Sequence, residues 1–214
     1  MHLHRSAFLL CLAGWFSLPA AYSPASSPAS RPQNYFESLF GYGSVSYEFR
    51  NDLPEWDRIL RRHSFEDFSG GQILEPWHIF IDNTRADTPS QQIKKVNRFA
   101  NQHDYVLDID NYGVEDYWAI VREFLKNNGD CEDYAITKYF SLRLLGFTND
   151  SLRIVVLQDT NLNVAHAVVA VALDGDIFIL DNQVNAVLSH KDILHYTPLY
   201  SINENRWWLH IPNT

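Results

Sequence analysis

The chain of 214 residues has only two cysteines, Cys11 and Cys131. That scarcity excludes a disulfide framework and a cysteine-built zinc site. Nine histidines are scattered along the chain, and none forms the His-Glu-x-x-His spacing of a zinc protease. Basic side chains are also few, 17 Lys and Arg against 26 Asp and Glu, for a formal net charge of -9. With no basic face to displace phosphate counterions, nucleic acid is not expected as a partner. Internal repeats are absent, which excludes a solenoid. No apolar run reaches the 18 residues that mark a membrane span, so none is expected in the mature chain. What is present is a hydrophobic fraction of 46%, enough in a chain of this length for one well-buried core.

The amino-terminal 30 residues differ from the rest. Arg5 precedes an apolar run over residues 7–16, and Pro19-Ala20-Ala21 follows. A basic start, a short apolar stretch and then small residues are the layout of a secretory signal, predicted here over residues 1–22 with cleavage between Ala20 and Ser30. Leu10, ahead of Cys11, is too large for a lipoprotein site. Retained as an anchor or removed, the segment places the domain outside the cytoplasm. Residues 23–34, rich in Ser, Pro and Ala, read as a disordered linker, and 35–214 as one domain. If Cys11 leaves with the signal, Cys131 is alone. A lone thiol in an oxidising compartment is a liability unless it is buried or used.

Cys131 lies in Gly129-Asp130-Cys131-Glu132-Asp133-Tyr134-Ala135, at the expected first turn of a helix. Unpaired N–H groups and the positive end of the helix dipole favour a thiolate there. This helix is predicted to run to Leu145 with Ala135, Tyr139, Leu142 and Leu145 on one face, and Gly146 caps it. An earlier helix begins at Thr88, where Pro89 and Gln91 complete a capping box and Ile93, Val96 and Phe99 form the buried stripe. Another is predicted from Tyr117 to Lys126, stopped by Asn127-Asn128-Gly129. The stretch 35–85 has mixed periodicity and receives no assignment. After Gly146 the pattern turns to strands at 152–157, 164–173 and 177–180, then an apolar segment near 207–211. Helices first and a mostly antiparallel sheet after make an α+β fold.

Asp174-Gly175 is a hairpin signal between the strands that carry His166 and Asp181. A two-residue turn pairs Leu173 with Asp176 and sets Asp181 opposite Val168, on the face of His166 and diagonal to it. A three-residue turn would put the two on opposite faces. With Cys131 packed against that face, the parts of a thiol hydrolase are present. Cys131 attacks, His166 moves the proton, and Asp181 fixes the imidazole. The Cys131 backbone N–H is a candidate oxyanion donor. Taken singly, each residue has a plainer reading: an inert thiol, a core histidine, a turn aspartate.

Asp130, Glu132 and Asp133 would raise the thiol pKa, against the helix dipole. A bound hard cation such as calcium resolves the conflict, with Asp108 or Asp110 completing the shell. The other reading is that Glu132 and Asp133 only stabilise the first turn of the helix.

These residues resemble the bacterial transglutaminase-like cysteine proteinases, which include periplasmic adhesin-releasing enzymes. The resemblance runs from about Trp77 to Trp208. It includes Val96-Asn97-Arg98-Phe99, Asp116-Tyr117-Trp118-Ala119, the Gly129 to Ala135 stretch, Lys138-Tyr139-Phe140, Ala165-His166, Leu180-Asp181-Asn182 and Tyr200-Ser201-Ile202-Asn203. It implies a papain-like, transglutaminase-type fold with a triad on Cys131, His166 and Asp181. It also implies calcium dependence, carried by Asp130 and Glu132 with Asp108 as third ligand. The implied substrate is a large cell-surface adhesin cut near its amino terminus in the periplasm, which releases cells from biofilm. The implied inhibitor is the periplasmic domain of an inner-membrane cyclic di-GMP receptor. The family's usual Trp-Gly is Tyr112-Gly113 here, its Ala-Thr-Pro is Ala119-Ile120-Val121, and Gln183 replaces an apolar residue. The same machinery would serve a transglutaminase-type acyl transferase or amidase. With the thiol idle, the chain would be an adhesin- or receptor-binding module.

Overall fold

Residues 152–157 and 166–172 are continuous apolar runs, broken only by Arg153 and His166, rather than alternations of apolar and polar. Such runs suit strands buried on both faces. The computed structural model, which describes residues 35–48, 53–64 and 71–213, puts them at the centre of a seven-stranded sheet. In chain order the elements are β1 (Tyr42–Glu48), α1 (Pro54–Ser64), α2 (Glu75–Thr84), α3 (Pro89–Ala100), α4 (Asp108–Asn111), α5 (Val121–Asn127) and α6 (Cys131–Leu144). Then follow β2 (Leu152–Asp159), β3 (Val164–Leu173), β4 (Asp176–Leu180), β5 (Leu188–Ser189), β6 (Tyr196–Ile202) and β7 (Arg206–Pro212). The strand order is β1-β7-β6-β2-β3-β4-β5, and every pairing is antiparallel. The α+β expectation holds. The proposed signal and linker, 1–34, lie outside the described residues.

Helices cover one face of the sheet. There Ile154, Val169, Val171 and Leu180 share a core with Trp56, Trp77, Ile93 and Ile136. The opposite face, with Val155, Leu157, Val168 and Ala170, is covered by Phe36 and Leu39 from the segment ahead of β1. The stretch 35–85 thus supplies the lid of one face and much of the core of the other. Among the described residues no helix is long and apolar enough to cross a membrane.

Helix α3 starts as its sequence predicts. Thr88 is the N-cap, its side chain accepts from the Gln91 N–H, and the Gln91 side chain accepts from the Thr88 N–H. Two expectations need correction. The helix predicted from Tyr117 begins only at Val121. Carboxylates from elsewhere capture the backbone just before it: Asp108 Oδ2 accepts from the Tyr117 N–H at 2.5 Å, and Asp133 Oδ1 from the Ala119 N–H at 2.7 Å. Those bonds hold 117–120 out of the helix until Glu123 accepts from the Ile120 N–H. The second correction concerns α6, expected to bury one stripe. It is buried on all sides from Asp133 to Leu142, because it lies between the sheet and the other helices.

Candidate active site

The hairpin between β3 and β4 turns on two residues. Asp174 and Gly175 take φ of 52° and 81°, the left-handed conformation a two-residue hairpin requires, and Leu173 pairs with Asp176. That register brings His166 and Asp181 to the same face. His166 Nε2 donates to Asp181 Oδ1 at 2.9 Å, and both residues are 4% exposed. Two more donors reach the same carboxylate: the Gln183 N–H to Oδ1 at 2.9 Å and the Tyr196 hydroxyl to Oδ2 at 2.5 Å. Burial alone would raise the Asp181 pKa. The bond and charge of His166, with Tyr196 and the Gln183 amide, bring it below the ordinary value.

The loop that carries Asp181 is tied down from α3. Asn97 Nδ2 donates to the Val184 carbonyl at 3.0 Å, and Asn101 Nδ2 to the Asp181 carbonyl at 2.9 Å. Asn97 and Asn101 stand one turn apart, so a single helix face grips the loop at both ends.

Cys131 opens α6 and packs against the core that includes Ala167, the residue after His166. Its thiol donates to Glu132 Oε2 at 3.2 Å. Burial, the charge and hydrogen bond of Glu132, and the charge of Asp130 push the thiol pKa well above its ordinary value, while the Ala167 N–H pulls it down. The charge conflict read from the sequence is therefore present. Lys138, two turns further along α6, is fully buried with its ammonium 5.6 Å from the Tyr134 ring centre. Burial lowers its pKa to about 7 against the pull of Asp181.

The acidic cluster separates into structural and free carboxylates. Asp133 is structural: Oδ1 holds Ala119, and Oδ2 accepts from the Asp130 N–H at 3.3 Å. Asp108 Oδ1 and Asp130 Oδ1 are buried without a hydrogen-bond partner among the described residues. A buried carboxylate oxygen with no donor is costly unless a cation meets it. One ligand oxygen each from Asp108, Asp116 and Glu132 lie within 4.8 Å of one another, as do oxygens from Asp108, Asp130 and Asp133. An all-oxygen set with orphaned lone pairs fits a hard cation. Asp110 is exposed and joins no such group.

Of the ligands expected from the sequence, Asp108 and Glu132 meet in one group of oxygens and Asp108 and Asp130 in another. Asp116 was not expected at the site, and its place depends on the extended path of 117–120. Nor were Tyr196, Asn97 and Asn101, whose roles depend on contacts between distant segments.

Gly129 supports the same turn. A Cβ there would meet Asp133 Oδ2 at 2.1 Å and its Cβ at 2.8 Å. Asp133 has no freedom to retreat, being buried and bonded at both oxygens. Gly129→Ala is expected to cost about 1–3 kcal/mol. Calorimetry should show the thermal midpoint fall by ~5 °C. An unchanged midpoint would show that the turn has slack.

A helix-tip thiol, backed by an antiparallel sheet bearing a His–Asp pair, defines the transglutaminase-like class of fold. The family model for the bacterial transglutaminase-like cysteine proteinases (BTLCP) matches residues 80–214. The chain belongs to this family of cysteine peptidases. Among solved structures it is similar to LapG of Legionella pneumophila, at 31% identity and a TM-score of 0.59, over 72% of this chain and 86% of that one. A calcium-bound form of that protein matches equally well. An EGTA-treated form does so over 84% of its length, with the same identity and TM-score. No curated protein sequence matches the chain.

Proposed function

We propose that this chain is a calcium-dependent periplasmic cysteine endopeptidase that cuts a large cell-surface adhesin near its amino terminus and so promotes release from biofilm. The observation that carries the reading is the His166–Asp181 pair at 2.9 Å, with the Cys131 sulfur against Ala167, the next residue on β3. His166 commits Nε2 to Asp181, and in this reading Nδ1 is the nitrogen that serves the thiol.

In this reading His166 takes the proton from Cys131 as the sulfur attacks the scissile carbonyl carbon. The oxyanion that forms lies at the α6 amino terminus, where the Cys131 N–H can donate to it. The imidazolium then gives its proton to the departing amine, leaving a thioester on Cys131. His166 next deprotonates a water, which attacks the thioester and frees the thiol. Asp181 holds the imidazole in one tautomer throughout. Asp108, Asp130 and Glu132, with Asp116 beside them, would hold calcium. Its positive charge would offset the carboxylates that keep the proton on the sulfur. Support for calcium comes from the orphaned oxygens of Asp108 and Asp130 and from the calcium-bound relative.

The export reading of the amino terminus supports a periplasmic location, and the family resemblance supports inhibition by the periplasmic domain of a membrane-bound cyclic di-GMP receptor. The test is to incubate the protein and calcium with amino-terminal fragments of candidate adhesins, with and without an amine donor, and to identify products by mass spectrometry. A single cut near the fragment's amino terminus is expected. Cross-linked product without cleavage would assign acyl transfer instead, and no product with any fragment would leave a binding module.

A further inference from the structure

We infer that Tyr196 is a positioning residue of this site, gripping the carboxylate of Asp181 so that one oxygen stays on His166. The inference rests on the catalytic reading above and adds to it a residue from a strand that the triad does not include.

A carboxylate can turn about its Cβ–Cγ bond, and both of its oxygens then compete for the imidazole. Here Oδ1 receives the His166 Nε2–H and the Gln183 N–H, each at 2.9 Å. Oδ2 receives a single bond among the described residues, from the Tyr196 hydroxyl at 2.5 Å. Rotating Asp181 would break all three bonds in a buried setting, where an unmet carboxylate oxygen is costly. The carboxylate is thus held at both ends.

Tyr196 is placed firmly enough to do this. It is 4% exposed and pairs with Asp159 at the start of β6. The Phe40 ring stands edge-on to it at 5.7 Å and 80°. The same Tyr196 ring stands at 60° to the imidazole of His166, with centroids 5.8 Å apart. One side chain therefore fixes the aspartate through its hydroxyl and walls the histidine with its ring. Because the ring packs on its own, Tyr196→Phe removes the hydroxyl and leaves that wall in place.

The experiment compares wild type, Tyr196→Phe, Asp181→Asn and the double variant, calcium-loaded, on the fragment that the wild type cuts. Tyr196→Phe is expected to lower kcat roughly 10- to 100-fold, as for a lost hydrogen bond to a charged group. KM should stay within about twofold, because Tyr196 is buried and presents almost no surface to a substrate. In the Asp181→Asn background the same change should cost little more, since its effect passes through Asp181. A second measurement needs no turnover. The His166 Nε2 proton should give a low-field NMR resonance that exchanges faster with water in Tyr196→Phe than in wild type. Unchanged kcat and unchanged exchange in Tyr196→Phe would overturn the inference, as would a full additional loss in the double variant. If Asp181→Asn itself keeps wild-type kcat, the catalytic reading falls and takes this inference with it. If Asp181→Asn is crippled and Tyr196→Phe is not, only the role of Tyr196 is lost.

Discussion

Cys131→Ala is expected to abolish cleavage, lowering kcat about 10^5-fold or more, while the protein stays folded. The loss is this large because in the proposed mechanism the sulfur carries the covalent intermediate, and a residue that acts as a unit with its base leaves little behind when removed. Stability should be spared for a local reason. Cys131 is only partly buried at the first turn of α6, and that turn is held by the Asp133 carboxylate and by the Asp130 carbonyl, which accepts from the Asp133 and Tyr134 N–H groups. Removing the thiol also deletes its weak hydrogen bond to the Glu132 carboxylate, and the thermal midpoint should hold or fall slightly. The check is cleavage of the adhesin fragment beside a melting curve for the same preparation. Cleavage at even a hundredth of the wild-type rate would take the nucleophile away from Cys131.

Removing calcium is the second large effect, and it should be visible in stability as well as in turnover. Burial, chiefly, holds Asp108 at about 6 and Asp133 at about 8, above the ordinary carboxyl value of 3.8. A folded-state pKa above the unfolded one means that the native protein keeps a proton that the unfolded chain has lost. That stabilisation is complete below about pH 4 and disappears as the pH rises through those two folded-state values. The chelated protein should therefore become steadily less stable from about pH 4 to about pH 8. A cation favours the ionised carboxylates, so added calcium opposes this trend and the gap between the two melting curves widens with pH. With calcium near one hundred times its dissociation constant, binding would contribute about 2.7 kcal/mol. For a chain of this size that is a rise of ~5–10 °C. Magnesium should do less, because it gives up its waters reluctantly. A calcium effect that is absent, or that shrinks as the pH rises, would contradict this account of the cluster.

Parts of this structure were legible in the sequence because they depend on neighbours along the chain. Thr88, Pro89 and Gln91 cap α3 with their own atoms. Asp174-Gly175 sets a two-residue turn, and from it follow the register and the shared face of His166 and Asp181. The start of α6 at Cys131 follows from the break at Asn127-Asn128-Gly129, where Asn128 takes a φ of 66°. Other features depend on partners that no local pattern announces. The segment 117–120 runs into α5 with no Gly or Pro to mark a break, yet Asp108 and Asp133 take its N–H groups and hold it out of the helix. β1 pairs with β7, from the other end of the described chain, so neither strand could be aligned from its own residues. Tyr196 is one tyrosine among eleven, and only the folded sheet shows that its hydroxyl meets Asp181. The His166–Asp181 pair could be read from spacing, whereas the residues that hold it in place could not.

The central claim is that His166 activates the Cys131 sulfur, and its most direct test is the rate of Cys131 alkylation by iodoacetamide. The rate should be measured near pH 6.5 in calcium-loaded wild type and in His166→Ala, with the labelled residue identified by mass spectrometry. At that pH an ordinary thiol is almost wholly protonated. The account predicts rapid labelling of wild-type Cys131 and labelling at least about tenfold slower without the imidazole. Equal rates in the two proteins, or a wild-type thiol that does not react, would contradict it.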